Sequence, residues 1–358
     1  MSEKETSQSS SFIAIVFFGF LSLIFAEVFS GASPFWFLTS WGWFVTLPLY
    51  WAHALLLVNL ALRYERVSLT QLYFWGVLFG LYEGWITKVI WAGYMGQSPQ
   101  LGWFLGFAVA KFLVIGLFYH AVFSFIIPIL VFQIVVLATN MNETPIVYTS
   151  HLNVLSRTRR NLILFGLIIL SGSTFLASSL NDNLINTALA AVVNFAYLMV
   201  LIFFATSISR KKLSLQSLRL GKTGLSIVII YLVALYGVMF FTLLPDRIPS
   251  FGTILLTIDF YIIVLALIFV SPKNTDQTYE LAEGLFNKKD ITYGLIGFVG
   301  LSLVWCILTG FSSILSVVLY LWMMLLGPFL FVAATVNVAM KAWDARSRSK
   351  EQVHSESL

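Results

Sequence analysis

Six side chains that can carry charge lie inside long apolar stretches of this sequence: Glu27, His53, Glu83, Lys88, His120 and Asp259, with Lys111 at the edge of another. An ionisable group surrounded by hydrocarbon is expensive, so such residues face protein or water and mark candidate sites. A cluster of Glu27, Glu83 and His120 could bind a solute or a proton. Glu83 could instead act as general base for a water, with His120 as its partner. A third reading makes the charges purely structural.

Spacing narrows the choice. Gly76, Gly80 and Gly84 recur every four residues and form a smooth stripe along which another helix can approach closely. Glu83 lies beside that stripe, and Thr87 follows one turn along on the same face. Lys88 is five residues from Glu83 and points elsewhere around the helix, so each needs a partner from another helix. His120, Ser124 and Pro128 share a face at four-residue spacing. Pro128 has no N–H to give the Ser124 carbonyl, which is expected to stay free near His120. Lys111 is expected to snorkel to the outer interface. His53 reads as a core hydrogen bond and Asp259 as a bond between helices.

The elements that must position these groups are membrane helices. Apolar residues make up 59% of the 358 and charged residues 10%, too few to cover a water-facing surface. Spans are predicted at Phe12–Phe29, Trp43–Leu62, Leu69–Ala92, Trp103–Ala138, Asn161–Leu180, Leu184–Ile208, Thr223–Leu244, Phe251–Ser271, Ile291–Thr309 and Phe311–Met340. The fourth is too long for one straight crossing and reads as one helix with an outer extension, bent at Pro128, or as one that includes a re-entrant piece. The fold class is therefore an all-α integral membrane protein of about ten transmembrane helices.

Charge sets the expected orientation. With the first helix running outward, 18 of the 21 Lys and Arg residues fall in inner segments, among them the Arg157–Arg160 and Arg210–Lys222 groups. Arg247 alone falls in an outer loop, so both termini are expected in the cytoplasm. Residues 1–11 and 341–358 are then cytoplasmic tails, and 139–160 is a cytoplasmic loop. Residues 12–138 form a four-helix region holding most of the buried charge, and 161–340 a six-helix supporting region. Counting from the inner end puts Glu83 at about 21 Å and Glu27 at about 22 Å along their helices. That is the outer half of a ~30 Å core, where two carboxylates could face one cavity and Lys88 could compensate one of them.

Other classes find little support. The net charge of +5 comes from loops between spans and does not imply nucleic acid. The single Cys306 precludes a disulfide framework or a Cys-based zinc site. No catalytic residue, metal site or cofactor is assigned. The first span could also be a signal peptide, cleaved near Val28-Phe29-Ser30 or Ser30-Gly31-Ala32, although Lys4 stands between Glu3 and Glu5. The loop from Ser30 to Phe37, with Trp41 and Trp43, reads as an aromatic belt at the membrane boundary or as a lid over the cavity.

The runs Ala26-Glu27-Val28-Phe29-Ser30-Gly31-Ala32-Ser33-Pro34, Gly80-Leu81-Tyr82-Glu83-Gly84 with Thr87-Lys88, and His120-Ala121-Val122-Phe123-Ser124 with Pro128 resemble a group of uncharacterised prokaryotic polytopic membrane proteins. The resemblance covers roughly residues 20 to 135 and implies that Glu27 stays in the mature chain. A second, weaker similarity is to the CAAX-protease and bacteriocin-processing intramembrane family, which carries a Glu-Glu pair followed by Arg, and His on other helices. Here Glu83 is followed by Gly84, the basic residue is Lys88 and position 116 is Gly, so half of that carboxylate pair is missing. The candidate binding residues are Glu27, His53, Glu83, Lys88, His120 and Ser124. The expected partners are the lipid bilayer of the cell membrane and a small solute or proton, with no oligomeric state indicated.

Overall fold

Lipid offers backbone N–H and C=O groups no hydrogen-bond partner, so the apolar stretches satisfy those groups within helices. A computed structural model describes residues 3–139, 147–208, 213–273, 277–278, 284–308 and 310–356. Among the described residues, eight helices are long and apolar enough to cross a membrane: Gly42–Arg63, Val109–Leu137, Arg159–Ser179, Leu184–Ser207, Lys222–Thr242, Phe251–Val270, Lys288–Ile307 and Phe311–Asp344. Phe12–Val28 is a shorter apolar helix. The remaining predicted stretch, 69–92, is apolar but broken. Of the basic loop residues, Arg210, Lys211 and Lys212 lie outside the described residues, as do 140–146 of the predicted 139–160 loop and Thr309 at the end of the ninth span.

Two corrections concern the elements themselves. Leu69–Ala92 is not one helix: it runs as Leu69–Gly80, Tyr82–Trp85 and Val89–Ala92. The break falls at Ile86–Lys88, where Lys88 takes a left-handed conformation with φ 59°. Its cause is local competition for backbone bonds. The Thr87 hydroxyl donates to the Glu83 carbonyl at 2.8 Å and accepts from the Val89 N–H at 3.3 Å, replacing bonds the helix would have made. The predicted Trp103–Ala138 span begins instead with a small hairpin, Trp103–Phe104 paired with Phe107–Ala108. The helix proper starts at Val109 and is π-helical over Phe112–Ile126. Its wider turn shifts the register on which a four-residue face depends.

The chain divides into two compact units. The first comprises residues 1–59, 123–232 and 276–322. In it Arg159–Ser179 and Leu184–Ile208 pack against Lys288–Ile307. Phe29 stacks on Phe298 with ring centroids 4.6 Å apart, in space left by Gly172. Trp36 is buried and its indole N–H donates to Asn194 at 2.9 Å, which ties down the loop read as a belt or lid; Trp41 and Trp43 remain exposed.

The second unit comprises residues 60–122, 233–275 and 323–358. Gln71 closes a capping box with Ser68 and also donates to Ser271 and Pro272 at 2.7 and 2.8 Å, joining Leu69–Gly80 to the end of Phe251–Val270. Arg66 donates to the carbonyls of Ile268 and Phe269 at 3.1 and 3.3 Å, closing the same end. The glycine stripe is where the π-helical segment comes in. A Cβ on Gly76 would sit 2.6 Å from the Ala121 Cα, and one on Gly80 2.8 Å from the Gly116 carbonyl oxygen. Gly76→Ala is therefore expected to destabilise the protein in detergent by about 1–3 kcal/mol, as overpacking against backbone does. Gly166→Ala is the control, since nothing lies within 4 Å of that added methyl and helix propensity alone favours it. Equal stability of the two variants in chemical unfolding would refute the close contact.

Candidate functional site

Glu83 and His120 meet in the second unit. The carboxylate Oε1 and the His120 Nε2 are 2.9 Å apart, with both side chains buried. The segment Tyr82–Trp85 holds Glu83 just before the helix break, and the π-helical turn holds His120 opposite it. Close approach at Gly76 and Gly80 makes the distance possible. Irregular backbone supplies both sides of the contact, a setting in which π-segments frequently serve sites.

Three donors converge on one carboxylate. The Tyr82 hydroxyl donates to Oε1 at 2.7 Å, and the Thr87 hydroxyl contacts Oε2. A carboxylate only accepts, so the His120 nitrogen facing it carries a hydrogen. The imidazole lies among aromatic rings, with Phe79 at 5.8 Å, Tyr82 at 5.1 Å and Tyr119 at 6.0 Å between centroids. Tyr236 and Tyr261 extend the polar chain. They hydrogen-bond each other, Trp85 donates its indole N–H to Tyr261, and Tyr236 lies within electrostatic range of Glu83.

Among the described residues Lys88 forms no ion pair with Glu83 or Glu27. It is fully buried, and its ammonium donates to the carbonyls of Ile86 at 3.2 Å and Met239 at 2.8 Å, and also to that of Leu243. Met239 lies in the last turn of Lys222–Thr242, its carbonyl also accepting from the Leu243 N–H at 3.1 Å, and Leu243 lies just beyond, where helical carbonyls lack an intrahelical partner. A cation is the suitable donor there, because the helix dipole places negative charge at that end.

Glu27, His53 and Ser124 make their contacts in the first unit. Glu27 sits in a π-helical turn, Ile24–Val28, and accepts from the Tyr50 hydroxyl at 2.6 Å. His53 Nδ1 is 2.8 Å from the Leu49 carbonyl, on its own helix. The Ser124 carbonyl is not free: the Ser22 hydroxyl donates to it at 2.8 Å, filling the place that Pro128 leaves empty. Lys111 does not snorkel. It is buried, with its ammonium 4.1 Å from the Tyr94 ring centroid, a cation–π contact that stands in for water. Asp259 is exposed on its helix and makes no helix-to-helix hydrogen bond among the described residues.

Tyr50, Tyr82, Tyr236 and Tyr261 were not singled out in the sequence, because tyrosine is common in apolar spans and reads as packing. The usable signal was Tyr82 beside Glu83, an aromatic body with a hydroxyl that needs a partner when buried.

A family model described as an uncharacterised membrane protein family matches residues 16–348. The chain belongs to that family. This membrane protein family covers all three runs on which the resemblance was drawn, and the other residues of the Glu83 cluster. An uncharacterised protein of Archaeoglobus fulgidus is 39% identical over 122 residues, which are 34% of this chain and 38% of the relative. The chain thus spans well under half the length of that curated relative. No solved structure matches this family member.

Proposed function

We propose that the Glu83–His120 pair binds and releases a proton within the membrane, and that the protein moves a small solute or the proton itself. The observation that carries this reading is the hydrogen count around Glu83. As a carboxylate it accepts from His120, Tyr82 and Thr87. As an acid protonated on Oε2 it donates to the Thr87 oxygen, whose own hydrogen goes to the Glu83 carbonyl at 2.8 Å. In the carboxylate state the single Thr87 hydrogen turns from the Glu83 carbonyl to Oε2, so in both states every hydrogen of the cluster has an acceptor and a proton can arrive and depart without a buried donor losing its partner. Helices interrupted at membrane depth, like the one carrying Glu83, recur where transporters hold ions and substrates.

The test is proton uptake by the purified protein after a small pH jump, read with a pH-sensitive dye, with the carboxyl stretch followed by infrared spectroscopy. The wild type is expected to take up a proton with a carboxyl band that vanishes in Glu83→Gln. An unchanged band in that variant would reject the assignment. The second reading, an intramembrane hydrolase, rests on the same 2.9 Å contact. It requires Glu83 to activate water, and three donors already engage its oxygens. A cleavage product lost in Glu83→Gln, with no proton uptake in the wild type, would favour it. The third reading, a structural subunit of a membrane complex, predicts neither signal.

The orientation belongs to the same proposal: both termini in the cytoplasm, in the cell membrane. Reporter fusions after Gln216 and after Asn183 are expected on the inside and the outside respectively. Two fusions on one side would reverse the argument.

A further inference from the structure

Asp259 has no place in the Glu83 site, yet it stands in the middle of a membrane span. It is the ninth of the 20 residues of Phe251–Val270, about 12 Å from one end and about 17 Å from the other. The fold uses the opposite face of that helix. There Thr253, Thr257, Val264 and Ile268 are buried, and the Thr257 hydroxyl accepts from the Trp91 indole N–H at 3.0 Å. The Asp259 carboxyl is exposed and makes no hydrogen bond or ion pair among the described residues.

Lipid cannot complete it. Acyl chains give a carboxyl no partner, and an aspartate is too short to reach the headgroups from that depth as a lysine can. No cation of the same chain meets it either. Lys88 and Lys111 are buried on partners of their own, and the other described cations lie in loops or at the ends of spans.

The surrounding residues form a seam. Gly252, Asp259 and Ala266 recur every seven residues and are all exposed, with Leu255, Leu256, Ile262 and Ile263 exposed between them. Seven-residue recurrence is the pattern of helices that cross at a shallow, left-handed angle. Small residues at two of the three seam positions let two backbones come close. The third position is polar, and a single polar residue in such a seam fixes partner and register.

We infer that this face joins a second copy of the chain, with the two Asp259 side chains hydrogen-bonded to each other. Two copies inserted in the same direction are related by an axis along the bilayer normal, so their Asp259 residues lie at one depth. One carboxyl, protonated, donates to the carboxylate of the other. Two acids sharing a site hold one proton between them in this way, and neither copy has to supply a cation.

The experiment is single-molecule photobleaching of the full chain in phosphatidylcholine vesicles, with the dimer fraction followed as the protein is diluted in lipid. The wild type is expected to dimerise, and Asp259→Leu to weaken the dimer by about tenfold. Asp259→Asn should stay within about threefold of the wild type, since an amide both donates and accepts. Both variants change an exposed side chain, so the protomer should keep its fold. In a Cys306→Ser background, Ala266→Cys should form a disulfide between copies. Val233→Cys, exposed on Lys222–Thr242, should not. Monomeric wild type at every density, Asp259→Leu dimers as tight as the wild type, or cross-linking at residue 233 but not at 266 would each overturn the contact.

Discussion

Glu83→Ala should destabilise the protein by about 3–5 kcal/mol, the usual cost of removing one member of a buried pair. Truncation leaves the Tyr82 hydroxyl, the His120 ring and the Thr87 hydroxyl without their shared acceptor, in a largely buried setting. Glu83→Gln should cost much less, because an amide oxygen still accepts from Tyr82 and the amide N–H can donate to Thr87. Proton uptake should be lost in both variants. The separation of the two readouts is the point: stability recovers with the shape of the side chain, while proton binding requires the acid. His120→Asn supplies the second edge of a double-mutant cycle, and Glu83 and His120 should couple by about 0.5–3 kcal/mol. Chemical unfolding in detergent measures the cycle. Strict additivity would mean that the 2.9 Å contact carries no energy and that Glu83 and His120 do not act together.

How much of this was legible in the sequence varied with the range of the interaction. Ten apolar stretches could be read directly, since lipid demands runs of about twenty apolar residues. Among the described residues, eight of them hold helices long enough to cross a membrane and a ninth, Phe12–Val28, is a shorter helix. The break at Ile86–Lys88 was hidden because the helix pattern of Leu69–Ala92 is intact on paper. What interrupts it is a hydroxyl competing for the Glu83 carbonyl, and a lysine whose acceptors lie 151 and 155 residues away. The same limit applies at Pro128. The missing N–H was visible, but the hydroxyl of Ser22 that replaces it is 102 residues from Ser124. For the candidate site, the glycine stripe pointed to a close approach, but not to which helix would use it. Gly116 illustrates why. In the sequence it counted only as a departure from a hydrolase pattern; in the fold its carbonyl is the surface that Gly80 touches.

Lys88→Met should be as damaging as Glu83→Ala, and for a different reason. Methionine keeps the length and apolar stem of lysine but donates nothing. The carbonyls of Ile86 and Leu243 would then lose the donor that serves them, while that of Met239 keeps the Leu243 N–H. Each unsatisfied group costs about 1–3 kcal/mol, so a loss of roughly 3–5 kcal/mol is expected once local relaxation is allowed. Lys88→Arg should recover part of it, because a guanidinium offers several donors, though its planar head needs room that a fully buried site does not provide. The decisive comparison is with Glu83. If the two residues formed a structural ion pair, Glu83→Gln with Lys88→Met would restore stability lost in either single variant, since neither charge would be left alone. The fold assigns their partners separately, so the double variant should lose the sum of the two effects to within about 0.5 kcal/mol. Rescue in the double variant would join Lys88 to Glu83 and turn the carboxylate from a proton site into one half of a structural pair.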